Sequence, residues 1–373
     1  MQLFSCDHCG HALYFENIAC QHCGHRLGYE PASNRLLALE AASDGGWASV
    51  ADASSRWQFC ANAEQGVCNW LLPTHEHTPF CRACRHNEIV PTMDDPRSLA
   101  RWQKIERAKK RLIYSLLRLN LPLATRGQDP VHGLGFRFLA EDITPEPVMT
   151  GHENGIITIA LGEADDAERE SRRTRFNEPY RTLLGHFRHE VGHHYWDILV
   201  GSAPALDGFR RLFGDETVGY AQALDRYYSF GAPPDWQQTH VSAYATAHPW
   251  EDFAETWAHY LHLVDTTEMA SAFGLRLRPA NDTRQDLTAR IAFDPYAGGS
   301  VADLMDNWVP LSALINNLNR AVGQPDAYPF VLSPAVVEKL DFIQTLVRNA
   351  GASQWTVPTP SGSEPINAPG ASR

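Results

Sequence analysis

One stretch, Arg181-Thr-Leu-Leu-Gly-His-Phe-Arg-His-Glu-Val-Gly-His-His-Tyr-Trp196, constrains this chain more than any other. It contains His189-Glu190-x-x-His193. On a helix, side chains four residues apart lie one above the other, so two imidazoles at this spacing can share one metal ion. Glu190, rotated roughly 100° from His189, can reach a metal-bound water without taking a coordination position. The periodicity supports a helix: Leu184, Phe187, Val191, Tyr195 and Ile198 make one apolar stripe, and His186, His189, His193 and Trp196 lie on another face. Gly192 leaves space for a close-packed neighbour, and Asn177-Glu-Pro179 carries the cap and first-turn chemistry of a helix start.

Such a helix needs a partner that brings a third ligand to the same point. The continuation after His193 is His194-Tyr-Trp-Asp-Ile-Leu, which lacks the nearby third histidine of the His-x-x-Gly-x-x-His pattern. Downstream, Pro249 opens a second predicted helix. Its core stripe is Trp250, Phe253, Ala254, Trp257 and Leu261, while Glu251, Glu255, His259 and His262 share the other side. Two carboxylates one turn apart suit one metal ligand and one group that orients a ligating histidine. The spacing does not say which is which, and His259 is a weaker alternative ligand. His186 and His194 are read as packing or solvent-facing residues.

All eight cysteines fall within the first 84 residues. Cys6-x-x-Cys9-Gly and Cys20-x-x-Cys23-Gly are two knuckles whose thiolates suit a tetrahedral metal site, each glycine allowing the tight turn. Zinc is the expected metal, although four thiolates also suit iron. Cys60, Cys68, Cys81 and Cys84 form a second, more loosely spaced set, with His75, His77 and His86 as nearby substitutes. Each set is read as holding one structural zinc. Met1-Gln-Leu-Phe-Ser-Cys has no charged segment followed by an apolar run, so a cytoplasmic location is expected, and paired cysteines there mean metal ligands more often than disulfides.

The remaining pattern predicts an α+β fold: small zinc-ribbon β-modules, then a mainly helical domain with a small sheet. A helix over 95–119 has Trp102, Ile105, Ala108, Leu112, Leu116 and Leu119 on one face, with Arg101, Lys104, Arg107, Lys109, Lys110 and Arg111 on the solvated remainder. Strands are expected at Gly135–Leu139 and Gly155–Leu161, with a Pro-punctuated loop containing His152 between them. Helices are expected around Ser300–Val322 and Ser333–Val347. The implied organisation is a zinc ribbon at 1–30, a second Cys-rich module at 31–94, a catalytic domain at 95–350 and a disordered tail at 351–373. A formal net charge of −12 disfavours nucleic acid as the main partner. No 18-residue apolar run is present, so no membrane span is expected.

Taken together, the paired knuckles, Glu178-Pro-Tyr-Arg-Thr-Leu-Leu-Gly-His-Phe-Arg-His-Glu-Val-Gly-His193 and Pro249-Trp-Glu-Asp-Phe-Ala-Glu-Thr-Trp-Ala-His-Tyr260 resemble the bacterial zinc-binding metallopeptidases with an N-terminal zinc ribbon. The second half is also similar to the gluzincin arrangement of anthrax lethal factor-type peptidases. That resemblance implies Glu251 as the third ligand of a catalytic zinc held with His189 and His193. It also implies Glu255 behind a ligand and Tyr244 as an assisting hydroxyl, with His248-Pro249 as a departure just before the helix. The implied reaction is hydrolysis of a peptide or protein substrate with Glu190 as base; separately, the Gly155–Leu161 strand, if it is a sheet edge above the site, would pair with an extended substrate. The rival expectations are a ribbon-based adaptor with a degenerate peptidase fold, binding a protein partner, and a zinc hydrolase of a non-peptide amide.

Overall fold

A computed structural model describes residues 2–43, 45–92, 95–140, 148, 150–167, 169, 182–201 and 205–352. The N-terminal part is β-rich. A two-stranded ribbon, β1 (Phe4–Ser5) and β2 (Ala12–Leu13), precedes a five-stranded antiparallel sheet of β3 (Arg26–Glu30), β4 (Arg35–Ala41), β5 (Trp47–Ser49), β6 (Arg56–Phe59) and β7 (Leu71–Pro73). The division expected at residue 30 falls inside the β3–β4 hairpin, where Glu30 faces Arg35. Backbone pairing there requires the two segments to fold as one unit. Tyr29 also bridges to Trp70, which draws the second cysteine set onto the first.

After Cys84, β8 (Asn87–Ile89) leaves the ribbons and joins a different sheet. That sheet, ordered β10-β11-β9-β8, contains β9 (Gly135–Leu139), β10 (Gly151–Glu153) and β11 (Ile156–Ala160). β8 and β11 both run parallel to β9, and β10 returns antiparallel to β11. The boundary expected at 94 therefore separates β8 from the sheet it belongs to. β10 lies in the segment expected to be loop. Its signal was the dipeptide Asn154-Gly155, both at positive φ, 49° and 79°, a pairing that favours a tight hairpin turn. The strand considered as a possible edge, Gly155–Leu161, is flanked on both sides; among the described residues the edge strands are β10 and β8.

Seven helices appear among the described residues: α1 (Pro96–Arg118), α2 (Leu183–Leu199), α3 (Ala205–Phe213), α4 (Tyr220–Phe230), α5 (Pro249–Ala272), α6 (Val301–Ala321) and α7 (Pro334–Ala352), with β12 (Arg276–Leu277) and β13 (Ala289–Arg290) as a small hairpin between α5 and α6. The helix start expected at 177–179 lies outside the described residues; α2 is capped by Thr182, whose hydroxyl accepts from Gly185 N. The tail from 353 onward also lies outside them. α6 begins with a reciprocal Ser300–Asp303 capping box, and α7 buries Val336, Leu340, Ile343 and Val347.

α5 is the central helix. Phe253, Trp257 and Leu261 are buried as expected, but so are Glu251, Asp252, His259, His262, Asp265 and Glu268. Buried charges persist when paired. Here Asp252 accepts from Lys339 of α7 at 2.6 Å, Arg188 of α2 donates to Asp265, and Tyr114 of α1 donates to Glu268. A main apolar core links the ribbons to the helices, and Leu37, Leu39 and Leu71 form a second, smaller cluster on the five-stranded sheet. Phe15 meets Tyr114 edge-on at 5.4 Å, and Phe187 of α2 meets Phe136 of β9 at 5.7 Å.

α2 and α5 approach most closely at Gly192. A Cβ there would lie 2.9 Å from Ala254 Cα and 3.2 Å from Trp257 Cβ. Because the obstacle is backbone, it cannot rotate away. Gly192→Ala should destabilise the fold by about 1–3 kcal/mol, read by urea unfolding, and an unchanged midpoint would contradict the close crossing.

Candidate metal centres and active site

The α2–α5 crossing sets the geometry of the first candidate centre. His189 and His193 project from α2 on one face, and Glu251 projects from the first turn of α5. The helix start is fixed by Pro249 and by His248, whose Nδ1 accepts from Trp250 N at 3.1 Å while its Nε2 donates to Val218 O. The His248-Pro249 pair is thus a capping device. His189 Nε2 and His193 Nε2 stand 3.2 Å apart, and Glu251 Oε2 lies 3.0 and 3.6 Å from them. Ligands about 2.0–2.1 Å from a tetrahedral ion are separated by roughly 3.3–3.4 Å, so the donor set has the right size.

Two further observations fit a cation at this point. Glu251 is 1% exposed, yet among the described residues its Oε2 accepts no hydrogen bond; its other oxygen accepts from Tyr220 OH at 2.6 Å. A buried carboxylate oxygen left without a donor is costly unless a cation completes it. His189 Nδ1 donates to Glu255 Oε1 at 2.7 Å, and Ser242 holds the other Glu255 oxygen at 2.6 Å. That arrangement fixes the tautomer that directs Nε2 at the site. Burial acts to lower the His189 pKa, but Glu251 and Glu255 carry it well above its ordinary value. The site draws positive charge.

Glu190 lies on the same helix, and burial raises its carboxyl pKa. It makes no hydrogen bond among the described residues. The Tyr244 ring lies 5.9 Å from that of His189. Burial and then Glu251 keep its hydroxyl well above the ordinary tyrosine range, so it stays a donor. His259 is directed elsewhere, with Nδ1 2.6 Å from Tyr328 OH. His194 is buried and pushed down to about 3 by that burial, while His186 sits 3.5 Å from Glu163. His152, on edge strand β10, stacks 6.3 Å from His193 and is held near 4 by burial and then by His193.

The eight cysteines are all free thiols and converge as two sets of four, Cys6, Cys9, Cys20, Cys23 and Cys60, Cys68, Cys81, Cys84. Sulfurs about 2.3 Å from a tetrahedral ion lie roughly 3.8 Å apart, whereas a disulfide would bring two to about 2.0 Å. The Cys6–Cys23 and Cys9–Cys20 separations are 3.7 Å, as is Cys68–Cys81, and Cys84–Cys68 is 3.8 Å. Both sets have metal-site dimensions. His86 lies outside both converging donor sets, and its Nδ1 donates to Leu134 O at 2.9 Å.

Two lysines depart from the expected solvated face of α1. Lys109 and Lys110 are buried around Glu106, whose two oxygens accept from them at 2.7 and 2.6 Å. Lys110 reaches the Val67 carbonyl of the second cysteine module, and Lys109 lies over Phe136 and Phe138 of β9 and donates to Asn87 of β8, which is why both charges are inside. Tyr220, Ser242 and Glu106 carried no motif; only the tertiary fold places them at the sites.

Comparison with known proteins places the chain in a family. A family described as "Putative zinc-binding metallo-peptidase" matches residues 98–346, and a zinc-ribbon domain matches residues 3–95. Proteins named as uncharacterized in Mycobacterium bovis and in two strains of Mycobacterium tuberculosis are 44% identical over 348 residues, covering 93% of this chain and 95% of theirs. No solved structure matches. Among the described residues no helix is long and apolar enough to cross a membrane. With the cysteine sets in front of an α2–α5 centre of two imidazoles and a carboxylate, the chain belongs to the zinc-binding metallo-peptidase family and carries an N-terminal zinc-ribbon domain.

Proposed function

We propose that the protein hydrolyses peptide bonds, with Glu190 as general base and one zinc ion held by His189, His193 and Glu251. The observation that carries this reading is the convergence of those three ligand atoms at the helix that also carries the half-buried Glu190. When bound, zinc supplies Lewis-acid polarisation of the scissile carbonyl and acidifies water. Glu190 accepts the proton of the attacking water and passes it to the leaving nitrogen. Glu255 holds His189 in its ligating tautomer, and Tyr244 donates a hydrogen bond to the developing oxyanion. An extended substrate pairs with the free edge of β10, next to His193. Two further zinc ions occupy the four-cysteine sets as structural elements, and eight free thiols in ligand geometry support a reducing, cytoplasmic setting. The intact ligand set and base favour an enzyme over an adaptor with a degenerate site.

The test is a comparison of new N-termini generated in a proteome-derived peptide mixture by the zinc-loaded wild type and by Glu190→Gln. Cleavages unique to the wild type support the reading; identical sets from both proteins refute it. In the same assay Tyr244→Phe should lower kcat by on the order of 10²–10³ with little change in KM. A wild-type kcat would remove Tyr244 from the mechanism.

A further inference from the structure

We infer that Lys110, with Lys109 and Glu106, is the charge-balancing set of the second four-cysteine site, so that metal loading of the N-terminal module depends on a helix of the catalytic half. The inference rests on the reading that Cys60, Cys68, Cys81 and Cys84 hold a divalent ion. Four thiolates around such an ion carry two net negative charges. The four cysteines are 7% exposed or less, and solvent cannot screen charge there effectively.

α1 supplies the compensation from positions i, i+3 and i+4. Lys110 Nζ donates to Glu106 Oε2 at 2.6 Å and to Val67 O, the carbonyl just before Cys68, at 2.8 Å. Lys109 Nζ donates to the other Glu106 oxygen at 2.7 Å, and Asn87 Nδ2 donates to that same oxygen at 2.8 Å. Glu106 Oε2 in turn lies 3.9 Å from Cys84 Sγ. Alone, that carboxylate would repel a thiolate. Clamped between two ammonium groups, the trio presents one net positive charge to the site. Lys110 therefore acts through its neighbours as a positioning residue of the metal site.

The first four-cysteine site provides an internal control. Cys9 and Cys23 are partly exposed, and the polar side chain against its sulfurs is His25, with Nδ1 3.2 Å from Cys23 Sγ. It has no buried lysine. A charge effect from α1 should therefore touch one cysteine site and spare the other.

The experiment uses the full-length chain loaded with cobalt, whose thiolate charge-transfer absorption reports the four-cysteine sites, followed by chelator-driven release. Wild type should show two such sites per chain. A wild type in which the second set takes no cobalt would remove the metal reading itself, before any variant is compared. Lys110→Met keeps most of the side-chain volume and removes the charge. It should weaken cobalt retention at one site by about 10–100-fold and leave the other at its wild-type rate. Lys110→Arg should retain most of the affinity. Glu106→Gln should hold metal at least as well as the wild type, and adding it to Lys110→Met should restore retention. Wild-type release from Lys110→Met overturns the inference. So does equal loss in Lys110→Met and Glu106→Gln without rescue in the double variant, because packing rather than charge would then be responsible.

Discussion

Glu190→Gln should keep the ion held by His189, His193 and Glu251 and lose a factor on the order of 10²–10⁴ in kcat. The two halves of this expectation have separate causes. Glu190 is not among the converging ligand atoms, so its charge is not needed to complete coordination. Gln has nearly the same volume and remains on the same helix turn, so the crossing of α2 with α5 is undisturbed. What disappears is a carboxylate able to accept a proton. Metal analysis must count the α2–α5 centre apart from the cysteine sites, for which selective removal of the weaker-bound ion is suitable. A Gln variant with full turnover would refute the base assignment, and one that lost the ion would make Glu190 a ligand.

Glu251→Ala should lose the ion at this centre and with it measurable turnover, whereas Glu255→Gln should weaken binding by about 10–100-fold. Both residues sit on α5 one turn apart, but their oxygens face different partners. Glu251 Oε2 lies among the imidazole Nε2 atoms, and Glu255 Oε1 takes the Nδ1–H on the far side of His189. Removing Glu251 leaves two ligands, too few for a closed site. Removing the charge of Glu255 leaves all three but loosens one. The metal-free Glu251→Ala protein should unfold earlier than metal-free wild type, because the Tyr220 hydroxyl loses its acceptor and His189 loses a carboxylate partner in a buried site. Isothermal titration with zinc and thermal unfolding in chelator together measure both effects. A reversed order of affinities would exchange the two roles.

Much of the site was readable because it obeys local rules. The i, i+4 histidines, the Cys-x-x-Cys knuckles and the proline-started second helix are consequences of helix and turn geometry over a few residues. Strand β9 matches its expected span, and α6 and α7 follow their periodicity closely because caps and apolar spacing agree there. Strand β10 was missed even though Asn154-Gly155 marked a hairpin, since three residues carry too little alternation to show a strand. Lys109 and Lys110 were placed outside because periodicity divides a helix into apolar and polar faces. It cannot show that another module covers the polar face and supplies a buried partner.

The sequence alone grouped the donors: His189, Glu190 and His193 on one helix, and eight thiols in two sets of four. Side-chain identity and helical pitch are sufficient for that. Spacing alone left Glu251 and Glu255 equivalent and the family resemblance chose Glu251; the tertiary structure gave each its partners, gave Tyr220 and Ser242 their contacts, put β10 outside β11 at the sheet edge and joined the ribbons to α1. Those features depend on distances between segments tens to hundreds of residues apart, set by the close crossing at Gly192 and by which buried charges find partners. No local periodicity encodes them.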